Sequence, residues 1–178
     1  MDAIAVANYF IKKQKQVKSE HELTVLRLIK LVYIAYGFAL SLLDRCIINP
    51  RFDKVEAWKL GPVIPSVYHT FKYNGIGEVK DEGGFLRTKE DGYSMFLYTP
   101  AVDKNDTELI AVLDLIWEKY LHISTAQIID MLHSKGTPWA YCFRPGENKE
   151  ILQEMTKLYF DQWIEDILHD GGREQEKS

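Results

Sequence analysis

The apolar run over residues 25–43 constrains the fold more than any other feature of the chain. It holds two cations, Arg27 and Lys30, and no acid. Its uncharged part, residues 31–43, is 13 residues long. That is short of the ~20 residues a membrane-spanning helix needs, so it reads as a core helix and not a membrane segment. Apolar residues occur almost all round its axis, which places it at the centre of the fold. Thr24 is its expected N-cap, and Asp44 and Asn49-Pro50 close it off. A chain of 178 residues with 46% apolar and 27% charged side chains can enclose such a helix in a single core.

The remaining signals are mostly helical. Asp2 caps a first helix to about Lys13, and Pro65 opens a short one ended by Asn74-Gly75. Asp103, Asn105 and Asp106 offer caps for a helix to about Tyr120. Ser124 with Gln127 forms a capping box for the next, which ends near Ser134 before Gly136. Thr137-Pro138 starts a further turn of helix. A final helix is expected from Asn148, where Leu152, Met155, Tyr159, Trp163 and Ile167 recur at helical spacing. Extended structure is confined to two places. Phe52, Val55 and Trp58 suit a short strand, paired with Ile47-Ile48, before the sharp turn at Gly61-Pro62. Residues 85–88 and 93–98 flank Glu90-Asp91-Gly92 as a hairpin. The expected fold is mainly α, a compact helical domain with a small β-hairpin or short antiparallel sheet, and a flexible polar tail over residues 171–178.

Several function classes are argued against. The net charge of −4 does not favour nucleic-acid binding, which needs cations to displace phosphate counterions. Charge is uneven, however. Lys12, Lys13, Lys15, Lys18, Arg27 and Lys30 face only Glu20 and Glu22 over residues 12–30, and acids dominate after Glu147. The cationic stretch reads first as a solvated edge and second as an electrostatic face for a partner. Cys46 and Cys142 are the only cysteines, far apart, and read as buried free thiols of the cytoplasm. The five histidines show no ligand spacing, so neither a metal nor another cofactor is expected. His133 beside Cys142 lacks an orienting group and an oxyanion hole, which argues against an enzyme.

Three segments carry a family resemblance. Leu28-Ile29-Lys30-Leu31-Val32-Tyr33-Ile34-Ala35-Tyr36-Gly37 is the first. Glu56-Ala57-Trp58-Lys59-Leu60-Gly61-Pro62-Val63-Ile64-Pro65-Ser66-Val67-Tyr68 is the second and most specific. Leu132-His133-Ser134-Lys135-Gly136-Thr137-Pro138-Trp139 is the third. In order and spacing they resemble the Panacea-domain antitoxins, a SocA-like family with phage-associated, GepA-like members. The resemblance covers nearly the whole chain, with the domain over residues 1–170. It implies an antitoxin that masks a cognate toxin protein, encoded next door, by direct protein–protein binding. In the SocA branch it also implies an adaptor delivering the toxin to a protease-unfoldase. Some members carry an extra N-terminal DNA-binding domain, for which this chain is expected to have no room, so a DNA-binding autorepressor ranks below both.

The motif residues admit a structural and a functional reading. Gly61, Pro62 and Val63 make a tight corner, and His133, Pro138 and Trp139 pin a second turn. Trp58 can bury its ring in the first corner or form part of a partner groove, since aromatics dominate binding anchors. Lys30 must snorkel, face a ligand or pair with an acid, and an ion pair ranks first. The candidate partner contacts are Lys30, Tyr33, Trp58, Tyr68, His69 and Tyr73.

Overall fold

The computed structural model describes residues 2–17, 20–51 and 53–175, with side chains to residue 169. Among the described residues, seven α-helices and five short strands follow in the order α1 (Ala3–Gln16), α2 (Val25–Leu43), β1 (Val55–Trp58), β2 (Gly61–Val63), α3 (Pro65–Phe71), β3 (Phe85–Thr88), β4 (Met95–Tyr98), α4 (Thr107–Tyr120), α5 (Thr125–His133), α6 (Pro138–Cys142), β5 (Lys149–Ile151) and α7 (Gln153–Gln175). A 3-10 turn, Lys72–Asn74, extends α3.

α2 is the axis. It packs on α7, α4 and α1 and also touches α3, α5 and β2. It is long and apolar enough to cross a membrane, yet 83% of its apolar window is enclosed by the other elements. Thr24 caps it by accepting from the Arg27 N–H, and Asp44 ends it in the left-handed conformation at φ 52°. The other expected caps also form. Asp2 accepts from Ile4, Asp106 from Leu109, and Ser124 and Gln127 make the reciprocal capping box.

Arg27 is buried at 2% exposure and donates to the Tyr120 and Ile123 carbonyls, both at 2.6 Å. It thereby clamps the end of α4 to the turn that follows, where the Tyr120 carbonyl also accepts from the Ile123 N–H. Lys12 pairs with Glu82 at 3.1 Å and Lys13 with Asp114 at 2.6 Å. The cations of residues 12–30 therefore do not form one electrostatic face. Two are sunk in the core, two are paired with acids, Lys15 is exposed, and Lys18 lies outside the described residues.

The strands differ from expectation in one pairing. β1 is the middle of an antiparallel sheet ordered β2-β1-β5, with Trp58 opposite Gly61 and Val55 opposite Ile151. Ile47 and Ile48 are core side chains on a non-strand segment and do not pair with β1. The second edge of β1 is filled by β5, from the stretch expected to begin the last helix at Asn148. That helix starts at Gln153 and continues through Gly171-Gly172 to Gln175. Residues 176–178 of the expected tail, like Phe52 of the expected strand, lie outside the described residues.

The β3–β4 hairpin turns at Gly92, φ 75°. Its base is held by buried Asn8, which donates to the Gly83 and Pro100 carbonyls and accepts from Gly83 N–H, each at 2.8 Å.

Candidate functional site

The three motif segments meet at one joint. Lys30 lies on the second turn of α2 with no exposure, and its Nζ donates to the Pro62 carbonyl at 2.9 Å. Gly61, at φ 104°, starts β2 there. A Cβ on Gly61 would stand 3.0 Å from Lys30 Nζ and 3.3 Å from His133 Nε2, so the missing side chain is what lets α2, the β1–β2 turn and α5 close together. The expected ion pair of Lys30 is absent: no carboxylate pairs with it among the described residues. Burial without a counter-charge pushes its amine down to about 7.

Aromatic rings extend the joint. His133 stacks on Trp139 at 3.7 Å and 5°, and Trp139 stacks on Phe143 at 4.7 Å. Trp139 Nε1 donates to the Trp58 carbonyl at 2.7 Å, which ties α6 to β1. Trp58 Nε1 donates to Glu56 at 2.7 Å, and its ring meets Tyr68 edge-on at 4.8 Å. Burial, and then the charge of Lys30, hold the His133 imidazole below its ordinary range. Its Nε2 is buried with no hydrogen-bond partner among the described residues. The Cys142 thiol contacts Met155 Sδ at 4.0 Å. The His133 ring is stacked on Trp139 and the Cys142 thiol lies on Met155, and no hydrogen bond joins His133 to Cys142 among the described residues.

Beside the joint runs a groove of about 340 Å³ between α2 and the β1–β2 turn. Val25, Leu26 and Ile29 form one wall, and Trp58, Leu60, Val63 and Tyr68 the other, with Gly75 at one end. Lys30 and Lys59 are its charged residues, and no carboxylate lines it. Leu60 is half exposed, and Tyr73 and Ile76, either side of Gly75, are exposed at 86% and 98%. Large apolar surface of this kind, next to a preformed groove, marks a place where another molecule can sit.

The expected contact residues divide accordingly. Trp58 and Tyr68 are half-buried in the groove wall. His69 is exposed beside Tyr68 at 5.3 Å, and Tyr73 is exposed with Lys72 over its ring. Tyr33 is not a surface contact. It is 1% exposed, edge-on to Phe160 at 5.9 Å, and desolvation raises its phenol. Lys30 is likewise no open surface residue, although it lines the groove. Gly61, Pro62 and Val63 form β2, and Pro138 is buried in the first turn of α6. The α2 wall was missed in the sequence because Val25, Leu26 and Ile29 merge into an apolar run. A groove is made only by what α2 fails to cover.

The profile of the family described as "Antitoxin SocA-like, Panacea domain" matches residues 28–140, which takes in all three segments. Among curated proteins, Antitoxin SocA of Caulobacter vibrioides (strain NA1000 / CB15N) is 32% identical over 151 residues. That alignment covers 83% of this chain and 74% of the relative. No solved structure matches.

Proposed function

We propose, on the premise that this chain belongs to the SocA-like, Panacea-domain antitoxin family, that it neutralises a cognate protein toxin by binding it directly through the groove between α2 and the β1–β2 turn. One observation carries the reading. The three segments that mark the family converge on a single joint, and that joint forms a wall of an apolar groove with half-buried aromatics facing out. Trp and Tyr in such positions are the side chains that anchor protein interfaces. Masking in this way requires no catalysis, only affinity. A nanomolar complex is worth about 12 kcal/mol, enough to leave little toxin free at micromolar antitoxin. The two free cysteines suit action in the reducing cytoplasm.

The test is co-expression with the protein of the adjacent reading frame. Growth should be rescued and the two proteins should co-purify. Leu60→Glu with Tyr68→Ala, which alter the groove without touching the Lys30–Pro62 bond, should weaken capture at least tenfold while the variant stays folded. Rescue with no physical complex would overturn the proposal.

A further inference from the structure

We infer that the joint of α2, the β1–β2 turn and α5 is a proton-sensitive latch, closed while His133 is neutral and opened in mild acid, when His133 takes a proton beside the ammonium of Lys30. The inference concerns the fold around the groove and holds whether or not a toxin occupies it.

The geometry of the joint is the first support. Lys30 Nζ and His133 Nε2 border the same point over Gly61, at 3.0 Å and 3.3 Å from where a Cβ would stand. Lys30 has no exposure and one acceptor, the Pro62 carbonyl. His133 Nε2 is a buried atom without a hydrogen-bond partner among the described residues. A neutral imidazole can leave that nitrogen unprotonated, at the cost of one unsatisfied acceptor. An imidazolium would carry an N–H there, with no acceptor to receive it and a second cation beside it. The second support is what hangs on the ring. His133 stacks on Trp139 at 3.7 Å, and Trp139 Nε1 donates to the Trp58 carbonyl. Displacing the imidazole therefore loosens the tie between α6 and β1, and β1 and its turn supply the Trp58 and Leu60 wall of the groove.

The other charged and titratable neighbours do not offset the second proton. On α5 itself Asp130 favours it, as does the Leu60 backbone, but burial and then the charge of Lys30 outweigh both. On α2, Arg27 is committed to the Tyr120 and Ile123 carbonyls. β1 presents Glu56, held by Trp58 Nε1 and Lys54, and the turn presents exposed Lys59. From α6, Tyr141 is exposed and the Cys142 thiol lies on Met155. His133 binds its proton less readily in the folded chain than in the unfolded one. Stability should therefore fall as pH drops below 6.5, and go on falling until the folded ring is protonated. Lys30 acts in a separate window, above about 7.

The His133 ring signals of the full chain, followed by NMR from pH 8 to 4.5, test the latch. In the closed joint the Trp139 indole should displace them from ordinary imidazole positions. They should titrate with a midpoint below 6.5 and lose that displacement as they do, while the core signals of α2 and α4 stay in place. In urea, the wild-type unfolding constant should rise below pH 6.5 by up to about tenfold per unit, and His133→Gln, which takes no proton there, should remove that part of the rise. Lys30→Met should raise the His133 midpoint, because it removes one of the causes that hold it down. A wild-type midpoint at or above 6.5, a ring still stacked once protonated, an acid limb identical in His133→Gln, or an unmoved midpoint in Lys30→Met each overturns the latch. The wild-type titration decides the matter even if a variant does not fold. Toxin capture at pH 7.5 lies outside this window, so failure of the latch leaves the masking reading standing.

Discussion

Burying an amine at Lys30 without a counter-ion works against folding. Its range falls from 10.5 to about 7, a shift worth about 5 kcal/mol to the unfolded state at neutral pH. Lys30→Met keeps the volume and removes that penalty. It orphans the Pro62 carbonyl, at a cost of about 1–3 kcal/mol. The variant should therefore be more stable at pH 7, by roughly 2 kcal/mol in urea unfolding. Between pH 7 and 10 the unfolded wild-type chain binds a proton at Lys30 that the folded chain has released. Wild-type stability on this account rises with pH, and the advantage of the variant should shrink by pH 9.5. A variant less stable than wild type at pH 7 would mean that the bond to Pro62 outweighs desolvation. The sequence identified Lys30 as needing a partner, because a cation on an all-apolar helix cannot be left alone. It suggested an acid because buried charges usually find one. That the nearest acceptor is a backbone carbonyl depends on the position of Gly61, which no local pattern encodes.

Helix packing is set at the seam between α2 and α7. Gly37 faces Phe160 so closely that a Cβ would stand 2.2 Å from the ring, inside any real contact distance. Phe160 is fully buried and edge-on to Phe38 and Tyr33, so it has nowhere to move. Gly37→Ala gains about 1 kcal/mol of helix propensity but must push α7 away, and overpacking outweighs that gain. A net loss of about 2 kcal/mol should lower Tm by roughly 4–8 °C, read by calorimetry. An unchanged Tm would show that α7 slides on α2 without cost. Removing residues 171–178 should leave Tm nearly unchanged, because the apolar anchors of α7 are Phe160, Trp163 and Ile164, all upstream. A fall of more than several degrees would place the end of α7 against the core. Helices with side-chain caps were legible because Asp2, Thr24 and Ser124 sit where their first turns need acceptors. β5 was not. Three residues carry too little period to announce a strand, and its partner β1 is nearly a hundred residues away in the chain, so only the closed fold selects the pairing.

For the whole molecule, masking and catalysis predict different dose curves. A masker is consumed one molecule per toxin, whereas an enzyme that reverses the toxin's effect turns over many times. With nanomolar affinity, worth about 12 kcal/mol, and micromolar proteins, free toxin should disappear along a straight line that breaks near equal amounts. Antitoxin titrated against a fixed level of the adjacent-frame protein should therefore restore growth only as the ratio approaches one, with total toxin unchanged on a blot. Steering by charge should be modest. Lys12 and Lys13 spend their charges within the fold, and Arg27 and Lys30 are buried, so raising salt should alter the break point little. Groove substitutions such as Leu60→Glu should move the break to higher ratios, because weaker binding leaves toxin free at equivalence. Full rescue at a ratio far below one, with the toxin still present and uncomplexed, cannot come from occupancy of a groove. It would assign the protection to turnover, and direct masking would then be the wrong mechanism for this chain.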